Sequence, residues 1–529
     1  MCSRPKKSSC SENIPGPTPI SIFLGLCKGL FLALTCIFFH SRTPFSIGDA
    51  IMSGQAETKE EHPSASAHVE DGPRSDTGQD AEERALLRKI DMRLVPCVWI
   101  MYLMSYLDRS NIGNAYTGGM GDELGMTSTD YSISLLVFFI SYVLFETPSN
   151  MILTRVRPSI YMPTLMFLWG GLSMCMAAAH SWQVVAGLRF ILGILEASFA
   201  PGVLFLLSAW YKKGELGRRY SVYYTAVALS GMFGGLIAGG LLQTLDGAHG
   251  ISGWRWLFIV EGAGTCLVSV GALFALPDFP STTRWLTPDE RALASRRLAG
   301  DSLGDTQDGE TIHHKVALKM ALMDWRTWAF VLTYMATTGA QTIQYFIPEL
   351  VKSMGYTGFE VQYYTAPIYV CAFVAILAFC FSSDYFKERA IHLATASALA
   401  IVCFAILIGV LNNTGRYILL CFGVAGVYAA CPLVSIYVSN SIPHPSEKRA
   451  IVQATVNALG NSASIYGSFL FPSKDKNHNR VGFSVTMVFM VIALLMAFVL
   501  RYLLAKYPYP ELVVHGHGAA AGKEEKDVD

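Results

Sequence analysis

Charged residues are scarce in this sequence, and their signs balance. Asp, Glu, Lys and Arg make up 15% of the 529 residues, whereas a soluble protein carries about 25%. The formal net charge at pH 7 is +0, so nucleic acid would gain no electrostatic attraction and we expect no such partner. None of the 12 cysteines belongs to a Cys-x-x-Cys pair, which argues against a disulfide framework or a zinc site.

Long apolar runs are what the sequence has instead, and 52% of its residues are hydrophobic. From Leu94 onward, twelve runs approach the roughly 20 residues that a helix needs to cross a bilayer. Because backbone polar groups cannot stay unpaired in lipid, these runs predict transmembrane helices. They form two sets of six: 94–116, 130–150, 159–179, 183–209, 220–243 and 254–276, then 327–350, 362–383, 391–411, 416–438, 450–471 and 481–504.

The apolar runs and the segments between them divide the chain into five predicted regions. Residues 19–39 are hydrophobic but interrupted by Lys28. We interpret them as an interfacial helix, or as sequence upstream of a true start at Met52, and not as part of the core. Residues 53–90 have the composition of a disordered segment. The regions are an N-terminal extension (1–90), an N-terminal half (91–276), a cytoplasmic linker (277–326), a C-terminal half (327–506) and a disordered cytoplasmic tail (507–529).

The linker contains one predicted helix. Thr287 can cap it, with Pro288 at the first helical position and two acidic residues in the first turn. Three arginines follow: Arg291, Arg296 and Arg297. We interpret this as a solvated basic helix without a chemical role.

Basic residues in the loops predict the orientation. They are concentrated after even-numbered segments, as at Arg155 and Arg157, and basic loops face the cytoplasm. The loop that carries Lys474, Lys476 and Arg480 runs against this trend. The balance still predicts that both core termini are cytoplasmic.

Two adjacent charges interrupt the first apolar run. Asp108 and Arg109 each cost about 2.5–3.5 kcal/mol at membrane depth, so such residues usually face a bundle interior or an aqueous path. On a helix they point about 100° apart. Arg109 shares a face with Tyr106, which predicts a cationic pocket with aromatic walls for a small carboxylate. Asp108 shares a face with Asn111 and is free to meet another helix. The alternative is a mutually neutralising pair.

The fourth run places Arg189, Gly193 and Glu196 on one helical face. A charged stripe that faces lipid is implausible, so this face points into the bundle. One interpretation is an Arg189–Glu196 brace that locks helices together. The other makes Glu196 a carboxylate that gains and loses a proton during transport.

Other polar residues in the runs are less decisive. Glu146 lies near the cytoplasmic end of the second run, where a gate or packing contact with loop arginines is favoured over a substrate role. Glu261 is ambiguous. Amide side chains such as Gln344 in the seventh run and Asn461 in the eleventh fit two functions equally well, namely helix–helix contact and ligand orientation. Gln341, Tyr345 and Asn457 accompany them.

The run from Tyr106 to Ala115 resembles the first-helix signature of the anion:cation symporters, within the major facilitator superfamily, and of their fungal allantoate permease-like branch. The resemblance covers about residues 88–506. Further segments that carry it are Tyr142–Asn150, Arg189–Ala197, Pro201–Gly202 and Gly253–Trp256. It implies an all-α polytopic membrane protein with twelve transmembrane helices in two six-helix halves, the major facilitator fold.

The resemblance also implies a function. We expect a monomeric plasma-membrane transporter, not an enzyme, that takes up a small organic anion by alternating access. Its partners would be the lipid bilayer, the anion and protons. We expect no cofactor, since a proton gradient would supply the energy. Export of an acidic fungal metabolite is the alternative.

Roles for individual residues follow from the resemblance and from the residue pattern. In related symporters the residue that matches Arg109 binds the substrate carboxylate, those that match Asp108 and Glu196 exchange protons, and one that matches Asn461 holds substrate. The pattern adds Tyr106 and Gln344 to the substrate site. The predicted gate and structural residues are Arg189, Glu146, Arg155, Asp384 and Arg389.

Two departures from the superfamily pattern affect these expectations. The loop after the second helix usually carries an Asp where this chain has Thr154, whereas Asp384 keeps it in the second half, so the first gate is expected to be weaker or to use Glu146. The fifth run has glycines for close helix packing, from Gly231 to Gly240. It lacks the proline-containing glycine motif of drug:proton antiporters, which favours symport.

Overall fold

The structure is a computed structural model. It describes residues 76–153, 156–280, 282–283, 285–303, 314–442, 446–472 and 479–509. The predictions for residues 19–39, for Thr154 and Arg155, and for the tail beyond 509 lie outside these ranges.

Six apolar segments form the first half of the bundle. The fourth is made of two consecutive helices, α4 and α5, and the first continues beyond α1 through a π turn, Tyr116–Met120. Pro158 begins α3, at a position where its missing N–H costs no hydrogen bond. The helices are α1 (Asp76–Ala115), α2 (Ser128–Leu153), α3 (Pro158–Met176), α4 (Trp182–Glu196), α5 (Phe199–Ser208), α6 (Lys213–Thr244) and α7 (Gly253–Ala275).

Two linker helices and the second half follow. The linker contains α8 (Pro288–Leu303) and α9 (His314–Met323). The predicted cap of α8 forms, because the Thr287 N–H donates to the Glu290 carboxylate at 2.9 Å and the Glu290 N–H donates to Thr287 Oγ1 at 3.2 Å. The second half contains α10 (Trp325–Gln341), α11 (Ile347–Ser353), α12 (Glu360–Tyr385), α13 (Ala390–Gly409), α14 (Asn413–Ser441), α15 (Ser446–Asn461), α16 (Ala463–Gly467) and α17 (Arg480–Lys506).

The predicted all-α membrane fold is confirmed. Within the described ranges, 10 helices are long and apolar enough to cross a membrane, and they coincide with ten of the twelve predicted segments. The seventh and eleventh segments are helical but broken. A 3₁₀ turn, Thr342–Phe346, separates α10 from α11, and the eleventh is interrupted between Asn461 and Ala463. In transporters, interrupted helices line binding sites near the bilayer midplane.

The two halves meet closely at one end of the bundle. We call the end where α1 begins and α8 lies the linker end, and the other the opposite end. At the opposite end the Tyr131 hydroxyl donates to the Tyr345 carbonyl at 2.6 Å, and Gln362 Nε2 donates to Thr117 Oγ1 at 3.0 Å. A Cβ added at Gly235 of α6 would lie 2.8 Å from the Gln362 carbonyl oxygen. The predicted use of the fifth-segment glycines in helix packing is therefore confirmed.

Candidate transport site

A buried ion pair between α1 and α4 lies at the centre of the site. Arg109 Nη2 lies 2.9 Å from Glu196 Oε1, and Arg109 Nε donates to the same oxygen at 3.2 Å. The Ser105 hydroxyl also donates to it. Glu196 is 1% exposed, and its Oε2 has no hydrogen-bond partner among the described residues. Each buried charge thus has its main compensation in the other.

Aromatic rings enclose the Arg109 guanidinium. Its central carbon lies 4.7 Å from the ring centroids of Tyr106 and Tyr142, and 5.4 Å from that of Phe138. Tyr345, from the break after α10, interacts with it electrostatically from the second half. The arrangement is the cationic pocket with aromatic walls that the sequence predicted, stabilised by cation–π attraction.

Gly193 allows Glu196 to reach Arg109. A Cβ at position 193 would collide with the Ser141 hydroxyl and the Phe138 carbonyl oxygen of α2. The glycine therefore lets α4 lie directly against α2. Because Glu196 follows one turn later on the same face, this close approach brings its carboxylate into the interior.

Arg189 has a different role from the predicted brace. Its Nη1 donates to the backbone carbonyl of Arg109 at 3.2 Å, and its guanidinium lies 4.7 Å from the Phe138 ring. Among the described residues it forms no ion pair with Glu196, which is taken by Arg109. Arg189 is thus a positioning residue that holds the α1 backbone beside the pocket.

Asp108 faces away from its neighbour Arg109, and no ion pair joins these two residues. Its carboxylate accepts hydrogen bonds from Thr265 Oγ1 at 2.7 Å and from Ser173 Oγ at 3.3 Å. The predicted divergence of the two side chains is observed. The alternative of a mutually neutralising pair is wrong, because the 100° rotation directs Asp108 towards α3 and α7.

The broken seventh segment brings amides to the pocket from the second half. Gln344 Oε1 accepts from the Tyr428 hydroxyl at 2.8 Å, and its backbone carbonyl accepts from Tyr369 at 3.3 Å. Gln341 Oε1 accepts from Tyr224 at 3.0 Å, whereas its buried Nε2 has no partner among the described residues. Gln341, which was absent from the predicted substrate site, therefore has an uncommitted donor. Its position one turn from Gln344 was the available signal.

Glu146 connects the two halves through amide side chains of α15. Its Oε1 accepts from Asn457 Nδ2 at 2.7 Å, and the Asn461 amide interacts with the same carboxylate. The predicted arginine contact is not seen for the described residues. Glu146 lies seven residues, or about 10 Å, before the end of α2 at Leu153, and its contact with Asn457 shows that it faces across the bundle.

Of the predicted gate residues in the loops, only those of the second half lie within the described residues. In the second half Arg389 forms an ion pair with Asp384, and its Nη1 donates to Ser383 Oγ at 2.9 Å. This cluster lies at the linker end of α12. Arg155, the predicted counterpart in the first half, lies outside the described residues.

Comparison with known proteins identifies the family. The model of the Major Facilitator Superfamily matches residues 98–468. The chain belongs to this superfamily. It is 36% identical over 405 residues to the MFS transporter prlL of Fungal sp. (strain NRRL 50135), covering 74% of this chain and 80% of that protein. It is 32% identical over 392 residues to a putative tartrate transporter of Agrobacterium vitis, covering 74% and 87%.

The fold of this major facilitator protein also matches a solved structure. The crystal structure of a bacterial homolog to human lysosomal transporter, Spinster, in an inward-facing and unoccupied conformation superposes with a TM-score of 0.59 at 16% identity, covering 78% of this chain and 97% of that one. Family and relatives make the protein a multi-pass membrane transporter and not an enzyme.

The linker helix of this transporter is anchored, contrary to the prediction of a solvated basic helix. Arg297 is 5% exposed and pairs with Glu83 of α1 at 2.7 Å and with Glu215 of α6 at 2.8 Å. Lys89 of α1 lies 2.7 Å from Glu290, and its ammonium holds the pKa of that carboxyl below its ordinary value. The sequence signal was that α1 and α8 each carry charges of both signs, which local pattern alone could not pair.

Proposed function

We propose that this transporter carries a small organic anion across the plasma membrane into the cell together with protons. In this proposal Arg109 binds the substrate carboxylate, and Asp108 and Glu196 exchange protons. The observation that carries it is the Arg109–Glu196 ion pair inside an aromatic pocket between the two halves.

The pair suggests how anion and proton binding are coupled. A substrate carboxylate that binds Arg109 must take the place of the Glu196 carboxylate. A charged Glu196 left without its cation in the bundle interior would be costly. Glu196 therefore takes up a proton as the anion binds, with the Ser105 hydroxyl still at hydrogen-bond distance. Release of the anion restores the ion pair and expels the proton.

Residues of both halves complete the proposed substrate site. Tyr106 forms its wall, and Gln344 and Asn461 orient the ligand from the interrupted segments. The unpartnered Nε2 of Gln341 adds a donor for a second polar group of the substrate. A relative named a putative tartrate transporter supports a carboxylate as the substrate class.

Alternating access would open and close the two ends of the bundle around this site. The contacts Tyr131–Tyr345 and Thr117–Gln362 hold the opposite end together. The distribution of basic loops supports a cytoplasmic linker end. The structure would then represent a state whose extracellular end is closed.

The test is uptake of radiolabelled tartrate and a panel of other carboxylates by a transporter-deficient yeast that expresses the full chain. We expect accumulation of at least one anion that rises when the medium is acidified and collapses with a protonophore. Glu196→Gln should bind and exchange the anion but not accumulate it. Glu360→Gln, an exposed acid on α12, is the matched control. Accumulation that is indifferent to the pH gradient would overturn proton coupling. Full accumulation by Glu196→Gln would remove Glu196 from the mechanism, and net efflux would overturn uptake.

A further inference from the structure

Glu261 of α7 is a buried acid that the proposed transport cycle does not use. Its side chain is 5% exposed, and neither carboxylate oxygen has a hydrogen-bond partner among the described residues. The group that acts on it electrostatically is Asp108. A buried carboxyl group without hydrogen bonds or a cation is expensive in a membrane-spanning segment. Its presence therefore needs an explanation.

Helix geometry places Glu261 beside the Asp108 face of α1. The helices run antiparallel, because Arg255 at the start of α7 pairs at 2.8 Å with Glu123, just beyond the end of α1. Thr265 of α7 donates to Asp108. Glu261 precedes Thr265 by four residues and Asn111 follows Asp108 by three, so they lie about 6 Å and about 4.5 Å towards the opposite end.

Asn111 lies at a similar height in the bundle to Glu261 and, like it, has a buried polar side chain without a hydrogen bond among the described residues. It is fully buried, and neither its amide nitrogen nor its amide oxygen has a hydrogen-bond partner among the described residues. An amide can donate to a charged carboxylate and accept from a protonated one. Asn111 therefore suits a position next to a carboxyl group that changes its protonation state.

Close packing shields the acids on the α3 side. A Cβ at Gly262 would lie 2.6 Å from the Gly170 carbonyl oxygen, so α3 and α7 are in backbone contact. From α3, the Ser173 hydroxyl faces Asp108. The titratable residues of α3 lie elsewhere, since Tyr161 bonds to Ser149 near the linker end and Cys175 is exposed.

No cation compensates the two acids in the described part of the chain. Glu196 of α4 also acts on Asp108 but is itself neutralised by Arg109. Cys266 is the other titratable group of α7 that interacts with Asp108. The half of α6 nearer the opposite end, 225–244, contains no ionisable residue. Two carboxylates that share a buried site cannot both be charged without a large cost.

We propose that Asp108 and Glu261 form a proton-sharing pair, and that Glu261 is a further proton-coupling residue of this transporter. The pair always holds one proton, on a carboxyl oxygen of either residue. It gains and releases a second proton as a unit. Its role in coupling depends on the proposed proton symport, whereas the sharing of a proton does not. The ligand of this site is the proton itself.

Infrared titration of the purified full chain in lipid nanodiscs tests the sharing without a substrate. The C=O stretch of protonated carboxyl groups is followed against pH for the wild type, Asp108→Asn, Glu261→Gln and the control Glu360→Gln. We expect Asp108→Asn to remove one buried band and to move the midpoint of the Glu261 band to lower pH by about 1 unit or more. Asp108, whose carboxylate accepts two hydroxyl hydrogen bonds, ionises first in the wild type, and its negative charge then opposes the ionisation of Glu261. Glu261→Asp, which keeps an acid, should retain two coupled transitions. A Glu261 band with the same midpoint in the wild type and in Asp108→Asn would overturn the pair.

Transport then tests the coupling role separately. In yeast that takes up labelled tartrate or another panel carboxylate, we expect Glu261→Gln to shift the pH profile of uptake to the acid side while KM for the anion changes less than twofold. A merely structural role would lower uptake equally at every pH and would overturn the coupling role. If the wild type shows no proton-driven uptake, the proposed function fails, and the infrared result still decides the pair.

Discussion

The guanidinium of Arg109 lies 2.9 Å from the Glu196 carboxylate, although 87 residues separate the two in the chain. No other carboxylate among the described residues forms an ion pair with Arg109. The Arg109–Glu196 pair is thus neutral as a unit in this state. An anion that enters must compete with Glu196, and the competition can make proton uptake a condition of binding.

The Arg109–Glu196 pair predicts that the loss of Arg109 affects both uptake and stability. Arg109→Ala should abolish anion uptake and lower the free energy of unfolding by about 3–5 kcal/mol, because Glu196 is left buried without its cation. Thermal unfolding in detergent and uptake in yeast measure the two effects.

The double variant Arg109→Ala/Glu196→Gln separates stability from function. It should recover most of the lost stability, since no unpaired charge remains, but should not recover uptake. Recovery of uptake by the double variant would remove Arg109 from substrate binding.

Close approach at Gly193 predicts a packing defect. Gly193→Ala would force α4 away from Ser141 and Phe138 of α2, with a cost of about 1–3 kcal/mol for overpacking. Because the shift moves Glu196 away from Arg109, we expect most of the uptake activity to be lost although the protein still folds.

Gly187→Ala is the matched control on the same helix. A Cβ there meets nothing within 4 Å, so α4 should keep its place and its stability should stay equal or rise slightly. Thermal unfolding and uptake are measured for Gly193→Ala and Gly187→Ala. Equal stability and equal uptake of the two variants would contradict the packing argument.

Local helix geometry explains which parts of the site could be predicted. The divergence of Asp108 and Arg109 follows from a fixed rotation per residue, so the sequence was sufficient. The partner of Arg109 depends on how α4 crosses α2 at Gly193, a tertiary contact that hydropathy does not report. The segment 327–350 has the length of one membrane-spanning helix, which concealed the break at Thr342–Phe346. The contact of Glu146 with Asn457 depends on the side of α2 on which Glu146 lies, which the sequence did not report.

The anchored linker predicts that one arginine controls the attachment of α8. Arg297→Ala removes ion pairs with both Glu83 and Glu215, so α8 loses its link to these acids, while Lys212 still pairs with Glu83. We expect faster amide hydrogen exchange throughout α8, measured by mass spectrometry. Arg296→Ala alters an exposed arginine one residue away and should leave exchange unchanged. Equal protection in wild type and Arg297→Ala would contradict anchoring by this residue.

The Lys89–Glu290 pair predicts how the attachment of α8 depends on pH. The hydrogen bond that Lys89 donates to Glu290 lowers the pKa of the Glu290 carboxyl below its ordinary value of 4.5. A lowered carboxyl pKa contributes stability above that ordinary value, and the contribution is lost as the pH falls through the folded-state pKa. Both side chains are about one-third exposed, so the contribution is only about 0.2–1 kcal/mol.

Lys89→Met keeps the length of the side chain and removes its charge, so it isolates this contribution. At pH 7 we expect amide exchange in α8 to be up to about fivefold faster in the variant than in the wild type, the rate equivalent of about 1 kcal/mol. As the pH falls below the folded-state pKa of Glu290, the ratio of the two rates should approach one, because the protonated carboxyl no longer attracts Lys89. Taking the ratio at each pH cancels the intrinsic pH dependence of exchange. A ratio that stays constant from pH 7 into the acid range would show that the charge of Glu290 does not hold α8 in place.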